Sequence, residues 1–175
     1  MSISLCLNMM VKNEEHIIIN TLKILTSSIK FDYWVITDTG STDNTKQLIL
    51  SFFAAENIKG ELIDDQWRGY SYNRTSAIGH AFNKTDYLLI FHADDIIEEK
   101  FKLPTPMTND AYYLKLRNGR MSCQHCLILN NRLHWSFKGT LEIFSENVGT
   151  INNSSCALQQ RVESITSLIK SRATF

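Results

Sequence analysis

The chain has 175 residues and a mass of 20.1 kDa, room for one domain core. Its 18 Lys plus Arg balance 18 Asp plus Glu, which excludes a bulk electrostatic attraction to nucleic acid or to an anionic membrane surface. A 43% hydrophobic content with only 7 Gly and 2 Pro excludes disordered, collagen-like and low-complexity classes.

From Ile3 to Val11 the residues are mostly apolar, as in a buried strand, and Lys12-Asn13-Glu14-Glu15 then reads as a turn and a helix start. Asn8 interrupts the apolar run and no basic residue precedes it, so this segment does not resemble a secretory leader. Ile18, Leu22, Leu25 and Ile29 fall on one helical face. Tyr33 to Thr37 is aromatic and β-branched, a second strand, and Asp38-Thr39-Gly40-Ser41-Thr42-Asp43 is its exit loop, with turn and capping residues of its own. The next helix presents Leu48, Ile49, Phe52 and Phe53; Gly60 to Ile63 is a short strand; Asn73 to Phe82 is helical; Tyr87 to Phe91 is a fully buried strand. Trp67 reads as a packing residue, and His16 and His80 as helix positions without a functional role.

Strands alternating with helices predict an α/β fold, a Rossmann-like and mostly parallel sheet flanked by helices. Ligands of such sheets sit beyond the carboxyl ends of the strands, where the strand order reverses. Polar segments leave three of these ends: Lys12 to Glu15, Asp38 to Asp43 and His92 to Asp95.

Beyond Glu98-Glu99-Lys100 the pattern turns antiparallel. Ala111 to Arg117 alternates, Asn118-Gly119 is a hairpin signal, and Cys126 to Leu129 is apolar. Asn152 to Ser155 reads as a turn, and Leu158, Val162, Ile165, Leu168 and Ile169 predict a final amphipathic helix. Cys123 and Cys126 form a lone C-x-x-C pair with His134 downstream; without a second pair or a strand-to-helix context they read as incidental thiols. No apolar run reaches the roughly 18 residues of a membrane span, so a reducing cytosol is the expected compartment, with peripheral membrane attachment left open.

There is no G-x-G-x-x-G and no phosphate-binding G-K-S/T. Carboxylates cluster at the strand ends instead, where they can accept hydrogen bonds from a base or sugar and hold a hard divalent cation.

Five segments in register resemble the family-2 glycosyltransferases of GT-A fold: Leu7 to Glu15, Asp32 to Thr45, Trp67 to Arg74, Asp86 to Asp95, and Leu133 to Glu142. The resemblance implies a nucleotide-sugar donor, most often UDP-linked, and an acceptor hydroxyl on a glycan, lipid or protein. It places Val11 beside the base through its backbone, Glu14 near the nucleoside, Asp38 on the uracil imide N–H, and Arg74 near the base or diphosphate. Asp94 matches the final acid of the family's D-x-D, which binds Mn²⁺ or Mg²⁺; His92 stands at the first acid, and Ala93 between them lies against the donor. Leu141 stands where the family usually carries a His, and Glu142 is the first candidate for the base of an inverting transfer, with Asp95 second. The expected organisation is a single domain over 1–175: a nucleotide-sugar half over 1–100, an acceptor-side half over 101–150, and a helix or connection over 151–175. His92 and Leu141 also motivate an alternative, a catalytically weak or silent nucleotide-sugar-binding module of a larger protein.

Overall fold

The computed structural model describes residues 3–97, 102–118, 121–139, 142–145, 149–152 and 162–171. In chain order the elements are β1 (Leu5–Val11), α1 (Ile18–Ser28), β2 (Tyr33–Asp38), α2 (Thr45–Glu56), β3 (Gly60–Asp64), α3 (Tyr70–Ala81), β4 (Tyr87–Ile90), β5 (Asp95–Ile97), β6 (Ala111–Asn118), β7 (Met121–Asn130), β8 (Ser136–Lys138), β9 (Glu142–Ser145), β10 (Gly149–Asn152) and β11 (Val162–Ser171). Eight strands form one sheet in the order β3-β2-β1-β4-β7-β6-β11-β5, and β10-β9-β8 form a small antiparallel sheet.

The β3-β2-β1-β4 portion is parallel throughout. The chain starts in the middle at β1, steps outward through β2 and β3, and returns to the other side of β1 as β4, so the order reverses between β1 and β4. In sheets of this kind ligands sit beyond the carboxyl ends of the strands at such a reversal. β1 is apolar on both faces because helices cover both; Leu5, Cys6, Leu7, Met9 and Val11 are all buried. Its one polar residue, Asn8, is satisfied by donating from Nδ2 to the carbonyls of Ala77 in α3 (2.8 Å) and Val35 in β2 (3.4 Å).

The helices follow their apolar periodicity. α1 buries Ile18, Leu22 and Leu25, and α2 buries Ile49, Phe52 and Phe53. Phe53 stacks on Trp34 with 4.4 Å between ring centroids, and a side chain at Gly60 would run into that indole. α3 begins at Tyr70, earlier than Asn73, because Gly69 turns the chain at φ 118°, a conformation that disfavours any residue with a Cβ. Asp86 ties the start of β4 to the start of β1: its Oδ2 accepts from the Ser4 N–H (3.0 Å) and Ser4 hydroxyl (2.8 Å), and Arg132 pairs with its Oδ1.

β4 pairs antiparallel with β7, so the second half of the chain extends the same sheet. β6 and β7 pair antiparallel, the hairpin that the Asn118-Gly119 signal predicts, but with Asn118 opposite Met121 the two-residue connection falls at 119–120, one position later than an Asn-Gly turn; residues 119 and 120 lie outside the described residues. The expected final helix is not formed. Val162–Ser171 is a strand, parallel to β6 and antiparallel to β5, with an irregularity between Ile165 and Leu168. Val162, Ile165, Thr166 and Ile169 are β-branched and suit a strand, and the pairing offered by β6 on one side and β5 on the other outweighs the helical spacing. Leu158, residues 153–155 and residues 98–100 lie outside the described residues. Among the described residues, no helix is long and apolar enough to cross a membrane.

Candidate functional site

Two loops are stitched together at the carboxyl ends of β1 and β2. Asn13, in the left-handed region at φ 54°, accepts from the Thr42 N–H through its side chain (2.8 Å), while its own N–H donates to Ser41 Oγ (2.8 Å). Glu15 accepts from the Asn44 N–H and side-chain amide, and Asp43 accepts from the N–H groups of Thr45 and Glu15, so Asp43 serves the start of α2 as its turn and capping chemistry predicts. The Val11 carbonyl accepts from both the Thr39 N–H (3.0 Å) and the Thr39 hydroxyl (3.1 Å), which engages the backbone oxygen that this strand end presents.

Asp38 ends β2 inside this frame and is 1% exposed. Oδ1 accepts from the N–H groups of Gly40 (2.9 Å) and Ser41 (2.7 Å), the local turn expected of an Asp in this sequence. Oδ2 is buried with no hydrogen-bond partner. A turn alone would use one oxygen. The second is a fixed acceptor without a donor, and leaving it so costs free energy unless a ligand supplies the donor.

The other wall comes from the chain leaving β4. Ala93 is buried and its carbonyl accepts from Thr21 of α1 (2.6 Å), which fixes the backbone between His92 and Asp94. One ligand atom from each of His92, Asp94 and Asp95 lies within 4.8 Å of the others. His92 Nδ1 is 3.4 Å from Asp95 Oδ2, and Asp95 is 2% exposed with Oδ1 unpartnered. Two carboxylates and an imidazole, with an orphaned buried oxygen among them, suit a divalent cation that accepts mixed O and N ligands, Mn²⁺ more than Mg²⁺. Glu14 belongs to the same corner: burial raises its pKa, and the neighbouring Asp94 carboxylate raises it further.

Arg74 is buried in α3 at 1% exposure, so it is not a surface charge. Its Nε and Nη1 have no hydrogen-bond partner, and its guanidinium carbon lies 5.8 Å from the centroid of the Tyr70 ring. Burial lowers its pKa, while Tyr70 and Asp95 favour its charge. A buried cation thus stands behind the acidic corner. His125 on β7 also faces this corner: burial lowers its pKa, His92 lowers it further and Asp95 opposes them. His125 sits inside the C-x-x-C segment, and no spacing in the sequence relates it to His92. Glu142 opens β9, where its backbone pairs with Lys138; Leu141 lies outside the described residues.

Cys6 lies in the core on β1, outside the site. Cys6 is buried and its thiol is pushed up to about 12 by burial, and among the described residues no Cys joins a group able to hold a metal. His134 stacks on Phe82 with 4.0 Å between centroids. A cavity of about 650 Å³ opens at the opposite edge of the sheet, between the end of α1 and the chain entering β2 and β3, away from all of these residues.

Residues 6–105 match the model of the family described as glycosyl transferase family 2. The chain belongs to this family. Its fold is GT-A, as comparison with solved structures shows. S. aureus TarS 1-349 in complex with UDP superposes with a TM-score of 0.54 at 18% identity, over 67% of this chain and 37% of that one. GalNAc-T7 with UDP, GalNAc and Mn²⁺ gives 0.53 at 14%, over 73% and 25%. The mannosyltransferase PcManGT from Pyrobaculum calidifontis, in complex with GDP-Man and Mn²⁺, gives 0.50 at 17%, over 57% and 30%. The family-2 chain therefore spans well under half the length of these structures. No curated protein sequence matches it.

Proposed function

We propose that this family-2 domain transfers a sugar from a UDP-sugar to an acceptor hydroxyl with inversion. The observation that carries the reading is the buried, unpartnered Oδ2 of Asp38, whose Oδ1 is held by the Gly40 and Ser41 N–H groups, at the carboxyl edge shared with His92, Asp94 and Asp95. An ionised carboxylate only accepts, so it selects a base edge that donates, as the uracil imide does. Glu14 lines the nucleoside side of the crevice, and the Val11 strand end and Ala93 form its backbone walls. Arg74 supplies positive charge from behind.

His92 and Asp94 would hold the cation, with Asp95 buried behind them. When bound, Mn²⁺ neutralises the charge growing on the departing diphosphate. In the transfer, the acceptor oxygen forms a bond to the anomeric carbon while the bond from that carbon to the diphosphate oxygen breaks, its electron pair leaving with UDP. The acceptor proton passes to the Glu142 carboxylate as general base. Asp95, the second candidate for the base, lies 3.4 Å from His92 Nδ1 through its Oδ2 and would also orient that imidazole.

Calorimetry with UDP and GDP, with and without Mn²⁺, tests the reading: UDP binds, Mn²⁺ tightens it and GDP binds more weakly. Absence of UDP binding in both conditions refutes it. A second reading, a donor-binding module without transfer, is favoured by His92 in place of an acid. Donor hydrolysis measured as released UDP separates the two.

A further inference from the structure

Trp67 and Tyr72 are exposed, at 54% and 49%, so Trp67 is not the packing residue its type suggests. Tyr72, in the first turn of α3, lines a groove of about 440 Å³ with Ser71, Thr75, Ser76 and Phe137, and Trp67 stands on the loop that leads into that turn. Arg68 lies over the Tyr72 ring, 4.8 Å from its centroid, and donates from Nη1 to the Tyr72 hydroxyl (2.9 Å), which holds that ring in place. Aromatic surface beside hydroxyls and a guanidinium matches the two faces of a sugar ring: its C–H face stacks on apolar rings and its hydroxyls meet short polar side chains.

Hydrogen bonds and strand pairing connect the walls of the groove to elements of the proposed transfer site. The loop carrying Trp67 is fastened to β2 by the Asp65 N–H, which donates to the Asp38 carbonyl (2.9 Å). Asn73 braces the same loop, accepting from the Arg68 N–H (2.7 Å) and donating to the Gln66 carbonyl (2.8 Å) and Asp65 Oδ2 (3.2 Å). The far wall is β8: Phe137 N–H donates to Thr75 Oγ1 (2.9 Å), and Ser71 Oγ donates to the Gly139 carbonyl (2.8 Å). β8 pairs with β9 through Lys138 opposite Glu142, so this wall runs into the strand that opens with the proposed base.

We infer that this groove, with Trp67 and Tyr72 as stacking platforms, is a binding site for the sugar of a carbohydrate acceptor. The inference rests on the transferase reading above, and a neighbouring protein surface is the competing occupant.

The test uses the full chain on an array of neutral and anionic oligosaccharides, followed by titration of the best binder with Trp67 fluorescence as the signal. Trp34 and Trp135 are buried, so Trp67 is the solvent-facing indole. At least one oligosaccharide is expected to bind. Trp67→Ala and Tyr72→Ala are expected to weaken it tenfold or more, read by calorimetry, with UDP affinity and melting temperature unchanged. Trp67→Phe, which keeps an aromatic face, should retain most of the binding. Equal oligosaccharide affinity in wild type and both alanine variants overturns the inference, as does an array without any binder. A concentration-dependent dimer abolished by Trp67→Ala overturns it in favour of a protein contact. UDP calorimetry on the same samples keeps these outcomes separate from failure of the donor reading.

Discussion

Replacing Asp38 by Asn changes one atom and reverses one preference. Asp38 is buried, and its Oδ1 already accepts from Gly40 and Ser41, so an Asn keeps the turn by leaving its amide oxygen at that position. The amide nitrogen then occupies the place of Oδ2 and points a donor where the carboxylate offered an acceptor. Against the uracil imide this sets donor against donor. A hydrogen bond to a charged group contributes about 1.5–3 kcal/mol, which at about 1.4 kcal/mol per decade is a loss in UDP affinity on the order of 10- to 150-fold. Cytosine carries an acceptor at the same ring position, so the variant should bind CDP as well as or better than UDP. Stability should fall by about 1 kcal/mol or less, about 2–4 °C for a chain of this size, because the turn bonds persist with a neutral acceptor. Calorimetry with UDP and CDP on both proteins, alongside thermal melts, measures all of this. Unchanged UDP affinity together with an unchanged UDP-to-CDP ratio in Asp38→Asn would refute the assignment of Oδ2 to the base.

Asp94→Asn should weaken Mn²⁺ binding on the order of tenfold or more, and His92→Asp should strengthen it, because cation affinity follows ligand charge; Mn²⁺ titration by electron paramagnetic resonance reads both. Glu142→Gln should leave UDP affinity intact and lower transfer by about 10²- to 10⁴-fold, the usual contribution of a general base; full turnover in that variant removes Glu142 from the mechanism. Asn8→Ala deletes the donor held by the buried Ala77 and Val35 carbonyls and should cost roughly 1–3 kcal/mol, or about 2–12 °C, in a thermal melt. The Asp86 carboxyl is held below its ordinary 3.8 by the bonds from Ser4, assisted by Arg132. A depressed carboxyl contributes stability above its unfolded pKa and loses it as pH falls through the folded value. The melting temperatures of wild type and Asp86→Asn should therefore differ at pH 7 and converge below about pH 3.8.

The parallel half was legible because its signals are local. Ile18, Leu22 and Leu25 meet the core where their spacing places them, and the β-branched run of β2 ends at the Asp38 turn. The polar segments after β1, β2 and β4 converge because parallel strands must deliver their carboxyl ends to one edge. What escaped depends on distant partners. The strand β11 carries a helical spacing that is overridden by pairing with β6 and β5, and nothing within its own residues announces either neighbour. Arg74 and Asp95 have ordinary surface chemistry, yet both are buried within reach of each other's charge. His125 faces His92 through a sheet register that brings β7 alongside β4. Trp67 failed in the opposite sense: its size suggests the core, while Gly69 and the Asn73 brace hold its loop out at the surface.

The strand β11 also sets an order of events during synthesis. It lies inside the sheet between β6 and β5, and its Ser171, Lys170 and Ile169 pair with Asp95, Ile96 and Ile97. While a ribosome is still making the residues before Val162, β5 lacks its β11 neighbour, and among the described residues Asp95 and its strand keep their links to α1 and His92. The parallel core around β1 can settle early, since all its strands precede Phe91. The pairing of Ser171 with Asp95 comes last, so a nascent chain can form the parallel edge that ends at Val11 and Asp38 before β5 gains its neighbour.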